Sequence, residues 1–444
     1  MVRLAGLLLS AWVLLSPIAF SQQSEEVPTL IGYVTRVASN TDFDVNQVRV
    51  VENPRVEIQV VREIGGSQVV DNTPLFWGER VMVYGSFRDQ KRTIRAHKIV
   101  EIKPITKEVS GFGLIDRVLT KSGDPAGGGE WTIRADGYSI LIDKQTATTL
   151  EPPLTAFSSV GTNMWLRYEG SLRPDGVVVA TKAVILKNEV DAKEEKLRAK
   201  EEYDPEKVDA DAKQNPVRQV VLGWDVQKMP PYHDDVMQAR VNRIGQSLVP
   251  AYQRALAESD PTKLNFRFYL VENSPVNDAI VLSNGIMLVP KKVMDQLTED
   301  SQLATILASN IASALEKQAY REGSKLEKAL AGEWVGAGTA LALSLGPGVA
   351  LWATAHHVEH STLLRLEEQS DRVGLSLMHD AGYDVSQAPV AWWKLTSKHP
   401  DELWRTEPPD RSGYLFEVIA KYWTPAAESR QAELPAKAES GQSN

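Results

Sequence analysis

The chain has no cysteine among its 444 residues, which removes disulfides, thiolate metal sites and a cysteine nucleophile together. It has no basic excess either. Lys and Arg number 49 against 58 Asp and Glu, a formal net charge of −9, whereas a nucleic-acid binder needs a basic face to meet phosphate. Nucleic acid is therefore not an expected partner. Long uncharged runs are scarce: one opens the chain, and another lies between Trp334 and Ala355. The length allows two or three domains, each with a core.

The opening run bears on the compartment. Arg3 precedes the apolar residues 4–20, and Ala19-Phe20-Ser21 leads into the polar QQSEE. A basic start, an apolar middle and small residues three and one before the junction describe a secretory signal peptide over residues 1–21. A secreted protein is expected, in a bacterium a periplasmic one, with an uncleaved anchor as the alternative. No cysteine follows the run, so a lipoprotein anchor is not available.

Residues 28–105 and 109–187 read as two copies of one β-rich unit. Gly32-Tyr-Val-Thr-Arg-Val37 is echoed by Gly113-Leu-Ile-Asp-Arg-Val118, and Ala96-His-Lys-Ile-Val100 by Ala180-Thr-Lys-Ala-Val184. Short alternating runs separated by Gly- and Asp-rich turns predict strands, and tandem small barrels of OB-like type are the natural architecture. Trp77, Tyr84, Trp165 and Tyr168 would be stacking platforms in a single-strand binder, but the acidic balance takes away the electrostatic funnel such a binder needs. A docking surface for an envelope protein partner is the better expectation for the barrels. The charged run at 188–215 reads as a solvated linker, residues 216–423 as the second domain, and the Ala-, Glu- and Ser-rich residues 424–444 as a disordered tail.

Within the second domain, Val236, Val241, Ile244 and Leu248 form an apolar stripe, and residues 266–271 form a β-run. The helix expected over residues 302–313, QLATILASNIAS, buries Leu303, Ile306, Leu307 and Ile311. This helix resembles ELAAVLAHEIAH, the zinc-binding helix of the HtpX, BepA and CAAX-prenyl-protease family of zinc metallopeptidases. The alignment needs no gap, and it puts Ser309, Asn310 and Ser313 where that family has His, Glu and His. Two imidazoles one turn apart grip zinc, and the Glu polarises the attacking water. Serine hydroxyls are poor zinc ligands, and an amide has no basic group to accept the proton.

The resemblance continues along the chain. Residues 278–289, DAIVLSNGIMLV, are similar to the family's NAFALPNG-x-I-x-V, with Asp278 in place of its Asn. In the family that segment is an edge strand against which substrate pairs, which implies substrate binding by Asp278, Gly285, Ile286, Met287, Leu288 and Val289. Leu366-Glu-Glu-Gln-Ser-Asp-Arg-Val-Gly374 looks like E-x-x-A-D-R-x-G. It puts Glu367 at the third zinc ligand and Asp371 one turn on, behind the metal. His399-Pro, with Arg405 six residues later, looks like a loop that lies over the metal in the family, which implies substrate binding by Arg405 as well. The resemblance spans roughly residues 220–423.

Two further features resemble sites. His356 and His360 fit H-x-x-E-H and lie one helical turn apart, but seven residues of helix put Glu367 about 10 Å beyond His360, too far to share an ion. Residues 334–355 are long enough to span a bilayer, yet Gly346-Pro347-Gly348 interrupts them. A peripheral membrane contact or buried hairpin is expected there instead.

The sequence thus predicts tandem OB-like barrels followed by an α+β zincin-like metallopeptidase domain. The resemblance implies a pseudopeptidase that holds unfolded or extended protein clients without cutting them, in envelope protein quality control, with no cofactor. The alternatives are an active zinc metalloendopeptidase that builds its site from His356, His360, His399 or Glu367, and a structural envelope protein.

Overall fold

The computed structural model describes residues 26–209, 226–321, 358–396 and 410–423, apart from short stretches within them. Residues 1–21, read above as a signal peptide, the apolar stretch 334–355 and residues 424–444 lie outside the described residues. Among the described residues no helix is long and apolar enough to cross a membrane.

Alternation of apolar and polar residues builds the first sheet from β1 (Leu30–Ser39), β2 (Asp42–Val45), β3 (Val48–Glu52), β4 (Gln59–Ile64), β5 (Ser67–Val70), β6 (Arg80–Arg88) and β7 (Thr93–Glu101). The order β3-β2-β1-β6-β7 closes on itself because β3 also pairs with β7, in parallel, and β4 and β5 extend the sheet beyond β7. Closure gives each inward apolar residue a buried face, so Phe43, Val50 and Ile94 are fully enclosed.

The second sheet comprises β8 (Lys107–Ser122), β9 (Glu130–Ala135), β10 (Tyr138–Ile142), β11 (Ala147–Leu150), β12 (Met164–Leu172) and β13 (Val177–Lys187). Its order β10-β9-β8-β12-β13 closes through a parallel β10–β13 pairing. Both small barrels break register at a glycine, Gly85 in one and Gly170 in the other. A Cβ at either would strike the backbone of the facing strand, at Arg95–Ala96 or Val179–Ala180.

The remaining described elements are α1 (Ala192–Lys200), α2 (Asp235–Leu248), α3 (Ala251–Ala255), β14 (Arg267–Val271), β15 (Ile280–Val281), β16 (Ile286–Pro290), α4 (Lys291–Gln296), α5 (Asp300–Leu315), α6 (Val358–Asp380), α7 (Ala388–Thr396) and α8 (Asp410–Tyr422). The three-stranded sheet has the order β14-β16-β15. One face, with Phe268, Met287 and Val289, joins the core made by α2, α5, α6 and α7.

Three expectations are corrected here. The segment Ile286 to Val289 is the middle strand, paired in parallel with β14 and antiparallel with β15, and all four residues are 0% exposed. An unbroken apolar run marks a strand buried on both faces, and the open edge belongs to β15 instead. The charged stretch after residue 188 is docked at particular points, although most of α1 is exposed. Glu194 is buried between Arg198 of the same helix and Lys317, and Tyr203 packs with Val271, Ile280 and Leu288 on the second face of the sheet. Lastly, Val236 is not part of the α2 stripe, being 81% exposed in its first turn, while Val241, Ile244 and Leu248 are buried.

The second barrel shares its core with the helices, since Ile115, Tyr168 and Ile185 belong to the same apolar cluster as α5 and α6. Buried charge fixes the junction. Arg372 of α6 donates to the Asp136 carboxylate at 2.7 Å and to its carbonyl at 3.0 Å, and Tyr168 donates to the other Asp136 oxygen at 2.7 Å. Removing one member of a buried pair strands the other's charge. Arg372→Met is therefore expected to cost about 3–5 kcal/mol in thermal denaturation. An unchanged midpoint would show that the barrel is held without this pair.

Candidate functional site

The site forms where α5 crosses α6. Leu303, Ile306, Leu307 and Ile311 turn inward as their spacing requires, which brings Ser309 to the neighbouring helix. The helices approach closely at Gly374, where a Cβ would sit 2.9 Å from the Ser309 amide nitrogen. That proximity lets two short side chains meet: Ser309 Oγ donates to Asp371 Oδ1 at 2.9 Å, both residues being buried.

Arg411, in the first turn of α8, completes the cluster. Its Nε donates to Asp371 Oδ2 and its Nη2 to Oδ1, each at 2.7 Å, and Nη2 also reaches Ser309 Oγ at 3.1 Å. This is the two-pronged carboxylate grip for which the guanidinium is shaped. The guanidinium carbon lies 3.3 Å from the centre of the Trp392 ring, a cation–π contact with α7. Burial is the largest single influence and would lower the Arg411 pKa, but the charge and hydrogen bonds of Asp371, together with the charges of Glu367 and Asp278, outweigh it and raise the pKa.

The second half of the site lies beside β15. Asn310 Nδ2 donates to Asp278 Oδ1 at 3.2 Å and to the Ile306 carbonyl at 3.0 Å, and the Ala279 amide also donates to Asp278 Oδ1. Burial pushes the Asp278 carboxyl up to about 7, against the opposing pull of Arg411. Leu282 donates its amide to the Ile286 carbonyl. In an antiparallel pair such bonded positions alternate, so the N–H and C=O of Val281 point away from β16, toward the open side. Among the described residues no strand pairs there.

The structure therefore brings together Ser309, Asn310, Asp371, Asp278 and the edge β15, and it puts Glu367 one turn before Asp371 on α6, where its charge reaches Arg411. Ser313 lies one turn beyond Ser309 and is half-buried. Gly285 forms the β15–β16 turn with φ +90°, a left-handed conformation that suits glycine. Ile286, Met287, Leu288 and Val289 are enclosed in the sheet. His356, His399 and Arg405 lie outside the described residues, and of His360 only the backbone, at the start of α6, lies within them. Sequence reasoning chose Arg405 and missed Arg411. The available signal was a second arginine after His399-Pro400, at the start of a segment with helical apolar spacing.

A zinc ion needs imidazole, thiolate or unengaged carboxylate donors. Here the positions in question offer two hydroxyls and an amide, and both oxygens of the adjacent Asp371 are bound to a guanidinium. This donor set does not fit zinc. Among the described residues no group of three His, Asp or Glu is placed to hold a metal ion.

Residues 236–408 match the sequence model of peptidase family M48, so the C-terminal region of the chain is a domain of that family. Among curated proteins the chain is similar to the beta-barrel assembly-enhancing protease of Escherichia coli (strain K12), at 23% identity over 40% of this chain and 38% of that protein. The Yersinia pestis protein of the same name is 24% identical over the same shares. The match thus spans about two fifths of the length of these relatives.

The buried Asp278 has a consequence for stability. Its folded-state pKa lies above that of an unfolded aspartate, so the folded protein holds a proton that the unfolded chain releases as pH rises from about 4 to about 7. Stability contributed by this group is therefore present at low pH and lost as pH rises through that window. Asp278→Asn keeps the acceptor and removes the charge. Above pH about 7 the variant is expected to be more stable than wild type, on the order of 4 kcal/mol, with the difference vanishing toward pH 4. Denaturant midpoints measured across that range would check it, and parallel curves would show that Asp278 is ionised throughout.

Proposed function

We propose that this protein is a pseudopeptidase of the cell envelope that holds extended segments of client proteins, including β-barrel proteins before assembly, and does not cut them. The observation that carries the reading is Asn310. It stands at the position of the family's general base, bonds its amide to Asp278, and lies beside an open strand edge. A cleft in this state keeps the means of holding a chain without the group that would activate water.

Binding is by strand addition to β15, with the outward N–H and C=O of Val281 as the central pair of contacts. The edge is only two residues long, Ile280 and Val281, which limits its capacity to template aggregation. The first barrel, read as OB-like and as a tandem copy of the second, is the docking module for an envelope partner. The relatives' printed name, beta-barrel assembly-enhancing protease, supports the choice of client, and the basic-apolar-small pattern of residues 1–21 supports export to the periplasm.

Val281→Pro tests the mechanism. It removes the outward donor while leaving the bonds of Ile280 and Leu282 to β16 in place. Fluorescence anisotropy with a labelled extended peptide from a β-barrel protein is expected to show binding by wild type and roughly tenfold weaker binding by the variant. The peptide should remain intact after long incubation with zinc. Equal affinities would rule out strand addition at β15, and cleavage would rule out the pseudopeptidase.

A further inference from the structure

We propose that Arg411 is the built-in cation of this site, supplying from α8 the positive charge that ties α6 to α5 where a metallopeptidase of this family would hold a metal ion. The inference rests on the reading of Ser309, Asn310 and Ser313 as a displaced zinc motif.

Three acidic side chains converge on the region, Asp371, Glu367 and Asp278, and the charge of each acts on Arg411. Such a cluster, largely removed from water, needs a cation. The guanidinium provides it in a form suited to the oxygens present, with two bonds to Asp371 and one to Ser309. It is held from the far side by the Trp392 ring. Arg411 and these partners come from four separate helices, so the contact joins segments that are distant in the chain.

The chemistry at position 309 has to match. A hydroxyl can donate to Asp371 and accept from Arg411 at once, whereas a zinc-ligating histidine would need the Asp371 carboxylate for its own ring N–H. The present serine and the bidentate arginine are thus complementary. A guanidinium, unlike a metal, can be neither chelated away nor exchanged, so the site stays loaded under all conditions in which the protein is folded.

The test uses the full chain and zinc itself. One variant carries Ser309→His, Asn310→Glu and Ser313→His, and a second adds Arg411→Met. Zinc content after equilibration with excess zinc and gel filtration is expected to be low in the first and near stoichiometric in the second. Equal zinc in both, whether high or absent, would overturn the proposal. In the native background, Arg411→Met is expected to lower the melting midpoint by roughly 5–10 °C, and Arg411→Lys to recover less than half of that because an ammonium lacks the fork. A midpoint unmoved by Arg411→Met, or fully restored by lysine, would likewise overturn it. None of these readouts depends on client binding, so the inference can fail while the binding reading stands, and the reverse.

Discussion

The close approach of α5 and α6 at Gly374 is the constraint from which the site follows. A side chain there would meet the backbone of Ser309, and the helices would have to move apart, stretching the serine–aspartate hydrogen bond. With the helices that close, short polar side chains suffice to complete the contact. Asp371 reaches Ser309, and α8 then adds Arg411 to both.

Consecutive residues on α6 serve different neighbours. Asp371 faces the cluster with Arg411, while Arg372, turned about 100° around the helix, reaches Asp136 of the second barrel and the Tyr414 hydroxyl of α8 at 2.7 Å. One turn of helix therefore joins the site to the barrel, and α8 is bonded to both residues. Arg134 of the barrel adds a further tie by donating to Asp380 at the end of the same helix. Packing a barrel against a peptidase-type domain through buried ion pairs is costly unless each charge is matched, and these charges are matched.

Much of this was legible in the sequence, for identifiable reasons. The alternating runs of residues 28–187 specify strands, and the strands form small barrels. The helix spacing of Leu303, Ile306, Leu307 and Ile311 fixed the face that Ser309 presents. The E-x-x-S-D-R stretch put Asp371 one helical turn beyond Glu367, and in the structure Asp371 meets Ser309. Pairing across long separations was not legible. Arg411 lies 40 residues from Asp371, and its place at the start of a helical apolar segment does not say which carboxylate it meets. The run IMLVP was misassigned to an edge because a β-run carries its burial in its composition but not its neighbours. The charged stretch around Glu194 was misassigned because charge density gives no hint of whether the partner is water or Lys317.

The docking of Tyr203 and α1 changes where the unit of folding begins. The covering face of the three-stranded sheet comes from residues that precede the recognisable peptidase region, and Glu201 accepts the Ser283 amide at the β15–β16 turn. Further upstream, the Leu114 amide of the second barrel donates to the buried Glu316 carboxylate at the end of α5. A fragment cut at the start of the family match would carry away neither of these partners. It would leave an apolar sheet face uncovered, the Ser283 amide without its acceptor and the Glu316 carboxylate without the Leu114 donor, conditions under which an excised chain tends to aggregate. A piece of this protein cut to keep these partners therefore has to begin no later than the second barrel.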